Sequence, residues 1–278
     1  MKEPGKLILV GTPIGNLEDM SPRAIRTLQE ADLVAAEDTR HSRKLFTHFG
    51  IHTQLISYHM HNEAARGQWL VEKILEGYTV ALISDAGMPG ISDPGEEVVA
   101  MAAAAGIAVT VIPGPSAGIS ALAVSGLPTG RFVFEGFLPK TGKDRSRRLE
   151  ELKTEPRTSI FYVAPHQLEK DLKALFEALG DRRAVLVREL SKLYEEAVRD
   201  SLAGLLEKYS GNGPRGEMVL VVEGRLPERE TPSPEVALKE MHTLVSGGMK
   251  VKDSARQTSE KYGVPVRDLY NRYIKEYD

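Results

Sequence analysis

Thr79-Val80-Ala81-Leu82-Ile83-Ser84-Asp85-Ala86-Gly87-Met88-Pro89-Gly90-Ile91-Ser92-Asp93-Pro94-Gly95 is the stretch whose reading decides the fold. Its first five residues form an aliphatic run of strand length, and the Glu- and Ala-rich segment from Glu96 onward has the character of a helix. The connection between them is far longer than a strand-to-helix turn requires, and its glycines and prolines make it a stiff, shaped loop. Loops that follow strands are where open α/β sheets hold their ligands.

The same alternation extends to both sides. Strands are expected over 7–10, 33–36 and 107–112, with a further run at 54–58. Helices are expected from Ser21, through Leu45, and over 63–75 and 96–105. Ser21-Pro22 is an N-cap followed by proline in the first turn, and Asp93-Pro94 with Glu96 and Glu97 reads as the same device. Repeated β-α-β units predict an α/β domain over residues 1–128 with a parallel sheet. A second α/β domain is expected over 129–226, with strands at 132–134, 159–163, 184–187 and 218–222 and helices at 145–153, 168–179 and 202–209. The remainder, 227–278, reads as a proline-punctuated linker (227–234) and a short helical tail. Its helices at 253–262 and 266–276, broken at Gly263-Val264-Pro265, have the spacing of a helix-turn-helix.

Composition narrows the function. The 278 residues are 41% hydrophobic, enough for two medium cores. The absence of cysteine excludes disulfides, thiolate zinc sites and a cysteine nucleophile, and suits a reducing cytoplasm. The first apolar run, 7–10, is too short for a secretion signal or a membrane span, so a soluble protein without a membrane partner is expected. A net charge of −3 excludes indiscriminate coating of nucleic acid but leaves room for local basic patches. Lys140, Lys143, Arg145, Arg147 and Arg148, against Asp144 alone, are the RNA-binding candidates. The tail adds Lys250, Lys252, Arg256, Lys261, Arg267, Arg272 and Lys275.

Two more loops follow strands. Gly11-Thr12-Pro13-Ile14-Gly15-Asn16 has glycines for close backbone approach but is not the GxGxxG of a dinucleotide site. Pro113-Gly114-Pro115-Ser116-Ala117 offers small residues against which a flat adenine or a thioether could pack. In this order, and together with Ala36-Glu37-Asp38-Thr39-Arg40-His41, the three loops resemble the tetrapyrrole methylase superfamily. His59-Met60-His61-Asn62-Glu63, Phe134-Glu135-Gly136-Phe137-Leu138-Pro139, Glu155-Pro156-Arg157-Thr158 and Gly216-Glu217-Met218-Val219-Leu220 extend the likeness over about residues 5–225, and the acceptor-side segments are similar to its ribosomal-RNA branch. Met88 departs from the smaller residue expected there, and Gly90-Ile91-Ser92 differs modestly from the common type.

The resemblance implies two α/β domains with a cofactor cleft between them, S-adenosyl-L-methionine as methyl donor, and 2′-O-methylation of a cytidine ribose in the decoding centre of 16S ribosomal RNA by a homodimer. It places Thr12, Pro13, Asp85, Gly87, Pro89, Ile91, Ser92, Ser116 and Ala117 at the cofactor from the first domain. From the second it places Phe161, Tyr162, Glu189, Met218 and Val219 there. Methyl transfer needs positioning and removal of the hydroxyl proton. Glu37, Asp38, His59 and His61, with Asn62 beside them, are the candidate acceptor-side groups, and Arg40 could fork a phosphate. Each has a plainer reading: Asp38 could pair with Arg40 and cap the helix near His41, Asp85 could cap its own turn, and Phe161 could be strand core. Other functions compete. Five of the seven histidines lie between 41 and 61, and His59-x-His61 with Glu37 and Asp38 would suit a metal-dependent hydrolase, but there is no HExxH pair and the resemblance implies no metal. A sister methyltransferase acting on a porphyrinoid or a modified protein histidine would share these cofactor loops, but the porphyrinoid branch is expected to carry a GAGPGD-like first loop. A non-catalytic RNA-binding assembly factor would not need three shaped loops.

Overall fold

The computed structural model describes residues 5–211, 213–214, 216–225 and 234–277. Its first sheet contains β1 (Lys6–Val10), β2 (Leu33–Ala36), β3 (Leu55–Ser57), β4 (Thr79–Ile83) and β5 (Ala108–Ile112). All pairings are parallel, in the order β3-β2-β4-β1-β5. The connecting helices are α1 (Pro22–Glu30), α2 (Thr39–Phe49), α3 (Glu63–Leu75) and α4 (Glu96–Ala104). From β1 the chain runs one way across the sheet to β2 and β3, and from β4 it runs the other way to β5. Right-handed crossovers in opposite directions put their helices on opposite faces. Ala24, Leu28 and Phe46 of α1 and α2 bury Ile8, Val10, Val34 and Ile83 on one face. Leu70, Ile74, Val98 and Ala102 of α3 and α4 bury Leu7, Leu33, Val80 and Leu82 on the other. Central strands covered on both sides explain why β2 and β4 read as continuous apolar runs. β1 and β4 are neighbours whose chains leave in opposite directions, and a crevice opens at such a switch point.

The second sheet is mixed. β6 (Phe132–Phe137), β7 (Thr158–Val163), β8 (Arg183–Arg188), β9 (Glu196–Ser201) and β10 (Met218–Val222) are ordered β6-β7-β10-β8-β9, and only β6 and β7 run parallel. Phe161, Val163, Leu186 and Leu220 pack against α6 (Gly142–Leu152), α7 (Leu168–Leu179) and α8 (Leu202–Tyr209). The opposite face, with Ile160, Val185, Val187, Val219 and Val221, is covered by Ala121 and Leu122 of α5 (Ala117–Ser125). α5, which precedes the boundary expected at residue 128, packs on the second sheet. β9 is not among the expected strands, and β6 runs three residues beyond its expected end through a bulge between Phe134 and Gly136.

The described residues up to Arg225 form one compact unit and those from 234 onward another. The second unit consists of α9 (Pro234–Ser246), α10 (Val251–Tyr262) and α11 (Val266–Tyr277), packed around Leu238, Met241, Ala255, Leu269 and Tyr273. Gly263, at φ 67°, caps α10 in the left-handed conformation, and Pro265 follows before α11, so the expected break is where the structure has it. The linker expected over 227–234 lies outside the described residues except for Pro234, which opens α9. No helix among the described residues is long and apolar enough to cross a membrane.

Candidate functional site

The three loops singled out in the sequence close on one another. The Thr12 amide donates to the Gly87 carbonyl at 2.9 Å, and the Gly87 amide donates back to Thr12 at 3.1 Å, an antiparallel bridge between the loops after β1 and β4. The loop after β5 joins them at Gly114. A Cβ on Gly11 would lie 2.6 Å from the Gly114 Cα, and one on Gly114 would lie 2.8 Å from the Gly11 Cα, so only glycine permits the contact.

Against this junction lies a cavity of about 310 Å³, within the size range of small-molecule sites. Gly87, Ile91, Ser92, Ser116 and Ala117 line it from the first sheet's loops, and Tyr162, Met218 and Val219 line it from the second sheet. β10 runs antiparallel to β7, with Met218 opposite Val163 and Val219 opposite Tyr162, so the end of one strand and the start of the other meet at the cavity. Tyr162 stacks edge-on against Phe134 and Phe137, with ring centres 5.1 and 5.6 Å apart, and makes an aromatic wall.

Several expected cofactor residues lie elsewhere. Phe161 is 1% exposed and packs into the core under α7 and α8, because neighbouring strand residues point to opposite faces and Tyr162 takes the cavity side. Pro89 is buried without lining the cavity. Thr12, Pro13 and Asp85 line a second cavity of about 250 Å³ instead. Glu189, at φ 53°, does not line the cavity. Its carboxylate accepts from the Glu217 amide at 3.0 Å and from Lys192 at 3.1 Å, and so braces Glu217, which does.

Residues the sequence reading missed include Ile14, Met88, Asp93, Phe137, Leu190 and Glu217. Asp93 is the most consequential. The sequence suggests it as the cap of α4, but the N-cap is Gly95, whose amide donates to Glu63 at 3.0 Å. Asp93 is left facing the cavity. Burial, and then the charges of Glu37 and Asp85, push its carboxyl up to about 6, against the opposing hydrogen bond from Ser84.

The acceptor-side candidates form a connected group. Asp38 caps α2 by accepting from the Arg40 amide at 2.8 Å and holds the Arg40 guanidinium through Nε at 3.1 Å and Nη2 at 2.8 Å. The Arg40 contacts hold the Asp38 carboxyl well below the usual carboxylate range, so it is a poor proton acceptor. Its own amide donates to Asp85 at 3.1 Å. Burial and the nearby Asp85 raise Glu37. Asn62 accepts from the His59 amide at 2.9 Å, its side-chain nitrogen lies 3.4 Å from His59 Nε2, and the exposed His61 ring stands edge-on to His59. No cluster of histidine and carboxylates suited to a metal ion occurs among the described residues.

Of the basic candidates, Lys140, Lys143, Arg147 and Arg148 are exposed. Arg145 is not. It is buried in an ion pair with Asp171 at 2.8 Å and donates to the carbonyls of Pro139 and Lys170 at 2.9 and 3.2 Å, which fastens α6 to α7. The expectation that it binds RNA is corrected accordingly.

Comparison with known proteins gives a consistent result. The family model for tetrapyrrole (corrin/porphyrin) methylases matches residues 6–206. Ribosomal RNA small subunit methyltransferase I of Halalkalibacterium halodurans is 47% identical, over 98% of this chain and 96% of that protein. The protein of the same name from Synechocystis sp. is 48% identical over 96% of each chain. Among solved structures, uroporphyrin-III C-methyl transferase from Thermus thermophilus, complexed with S-adenyl homocysteine, shares the fold with a TM-score of 0.55 at 23% identity, covering 79% of this chain and 97% of that one. The chain thus belongs to the tetrapyrrole (corrin/porphyrin) methylase family and, within it, to the group of the ribosomal RNA small subunit methyltransferases I.

Proposed function

We propose that the protein transfers a methyl group from S-adenosyl-L-methionine to the 2′-hydroxyl of a cytidine ribose in the decoding centre of 16S ribosomal RNA. One observation carries this reading: a mainly apolar, aromatic-walled cavity at the switch point holds a half-buried carboxylate, Asp93, raised to about 6. The lining fits the donor, because Tyr162, Phe137, Met88 and Met218 suit an adenine and a thioether, while Ser92, Ser116 and Glu217 offer the few polar contacts that fix orientation. When bound, S-adenosylmethionine supplies a methyl already activated on a sulfonium. The chain's own task is to align the ribose hydroxyl and receive its proton. Asp93 is the acceptor, since it lines the cavity and is mostly ionised at neutral pH, whereas Asp38 is tied to Arg40 and His61 stands in solvent.

Lys140, Lys143, Arg147 and Arg148 and the exposed basic side chains of the tail hold RNA phosphates. The protein works in the cytoplasm as a homodimer. β5 is a sheet edge with Val111 52% exposed, and α5 and β6 expose Ile119, Phe132 and Phe134, apolar side chains that a second copy of the chain would cover. The deciding experiment is methyl transfer from labelled donor to small subunits lacking the modification, followed by mapping of the nucleotide. Label on a single cytidine ribose is expected; label on a protein or a porphyrinoid overturns the reading.

A further inference from the structure

The second cavity shares no lining residue with the donor cavity. Thr12 of the Thr12–Gly87 bridge lines it while Gly87 lines the donor cavity, and its Ser84 is a hydrogen-bond partner of Asp93 in the donor cavity, so the two hollows are neighbours. At about 250 Å³ it is smaller than the donor cavity. Leu17, Leu45 and the exposed His41 ring supply flat and apolar wall, and Lys44 stands at the edge. Two polar groups have atoms free to meet a ligand. Asp85 uses Oδ1 to accept from the Asp38 amide, while its Oδ2 has no hydrogen bond among the described residues. Asn16 uses Oδ1 to accept from the Glu18 amide, which leaves its Nδ2 as a donor.

The helices on this face of the sheet are basic, although Asp85 itself has Glu37 and Asp93 as acidic neighbours. α2 contains Arg40, Arg43 and Lys44 and no acid, and α1 on the same face adds Arg23 and Arg26 against Glu30. The helices of the opposite face, α3 and α4, hold Arg66 and Lys73 against Glu63, Glu72, Glu96 and Glu97. Arg43 and Lys44 are exposed and enter no ion pair among the described residues. A hollow with a stacking wall, one free acceptor, one free donor and a cationic rim matches an unstacked nucleotide, whose base is read on its pairing edge and whose flanking phosphates seek cations.

Resting on the RNA reading above, we infer that this second cavity is the base subsite of the acceptor nucleotide, with Asp85 as its specificity residue. The carboxylate accepts from an exocyclic amine and repels a carbonyl at that place, so it selects cytosine over uracil. The Asn16 amide donates to the ring carbonyl that both pyrimidines share. Ser84, in the second cavity's lining, is a hydrogen-bond partner of Asp93 in the donor cavity, so a base seated in the second cavity would keep its ribose hydroxyl on the Asp93 side.

Asp85→Asn tests this selectively. The amide retains an oxygen for the Asp38 N–H and turns the free acceptor into a donor. Methyl transfer is measured with unmodified small subunits carrying either cytidine or uridine at the mapped nucleotide, for the wild type, Asp85→Asn and Asn16→Asp. The wild type should favour cytidine, and Asp85→Asn should shift the uridine-to-cytidine ratio by roughly ten- to a hundred-fold toward uridine. Asn16→Asp should slow both substrates and leave the ratio alone. Calorimetric donor affinity should be unchanged in both variants, which shows that they are folded. An Asp85→Asn enzyme with the wild-type ratio, or an Asn16→Asp enzyme with wild-type rates, overturns the subsite while the acceptor assignment stands. A wild type that labels neither RNA overturns the acceptor assignment itself.

Discussion

The pH dependence of turnover gives the sharpest test of Asp93. Its carboxyl is raised to about 6, first by burial and then by the neighbouring charges of Glu37 and Asp85. If its ionised form takes the hydroxyl proton, the single-turnover rate follows the ionised fraction. That fraction is about nine-tenths at pH 7 and about one-tenth at pH 5, so the rate should fall roughly tenfold between them. Asp93→Asn should lower the plateau by about a hundredfold or more and abolish the acid limb, since general base catalysis is typically worth about 10²–10⁴. Glu37→Gln removes one of the like charges that hinder ionisation of Asp93, so the limb should move to lower pH. Stability provides an independent check of sign. A carboxyl raised in the folded state contributes stability below its unfolded value of 3.8 that is lost as pH rises through about 6. Asp93→Asn should therefore melt no lower than the wild type at pH 7, and its relative advantage should shrink toward pH 4. The assay is single-turnover transfer from labelled donor at saturating subunits, with melting curves recorded at both pH values. An Asp93→Asn enzyme with a near-normal plateau, or with the acid limb intact, refutes the assignment.

Arg145→Ala should cost about 3–5 kcal/mol of stability, because it strands the buried Asp171 carboxylate and removes three hydrogen bonds, yet it should leave the salt dependence of subunit binding unchanged. Chemical denaturation and binding titrations check the two halves separately. Neutralising Lys140, Lys143, Arg147 and Arg148 should do the reverse, flattening the slope of log affinity against log salt by roughly 0.7–0.9 for each RNA phosphate that is no longer neutralised, while sparing stability. Removal of residues 226–278 should leave donor affinity unchanged and weaken subunit binding, since α9–α11 carry their own core and an exposed basic surface. Val111→Lys should shift the protein from dimer to monomer in light scattering.

Most of the first sheet was legible because its strands are buried on both faces and its helices start at recognisable signals. Ser21 does cap α1, accepting from the Ala24 amide at 3.1 Å. What escaped was decided by distant partners. β9, Glu-Ala-Val-Arg-Asp-Ser over 196–201, is an edge strand with half-exposed charges, and only its pairing with β8 makes it a strand. Arg145 sits in a run of basic residues and differs from its neighbours only because Asp171, 26 residues on, lies beneath it. Phe161 and Tyr162 look equivalent in the sequence, although a strand can offer only one of them to the cavity. Asp93 was hidden by its own context, since Asp-Pro-Gly-Glu-Glu imitates a helix cap that Gly95 and Glu63 in fact supply.

The placement of the two cavities explains why the loops matter more than any one side chain in them. β1 and β4 send their chains to opposite faces, and the loops that leave them are then bound back together by the paired amides of Thr12 and Gly87. The Gly11–Gly114 contact adds the loop after β5 to the same backbone frame. A wall built from main chain holds its spacing when the side chains on either side of it are exchanged, and it needs no reorganisation when ligands arrive. Asp93 and Asp85 line different cavities, yet the Asp85 charge helps to raise the Asp93 carboxyl: Asp85→Asn should alter which base is accepted and also move the acid limb of turnover to lower pH, as Glu37→Gln does, whereas Asp93→Asn should alter proton transfer and leave the choice of base alone.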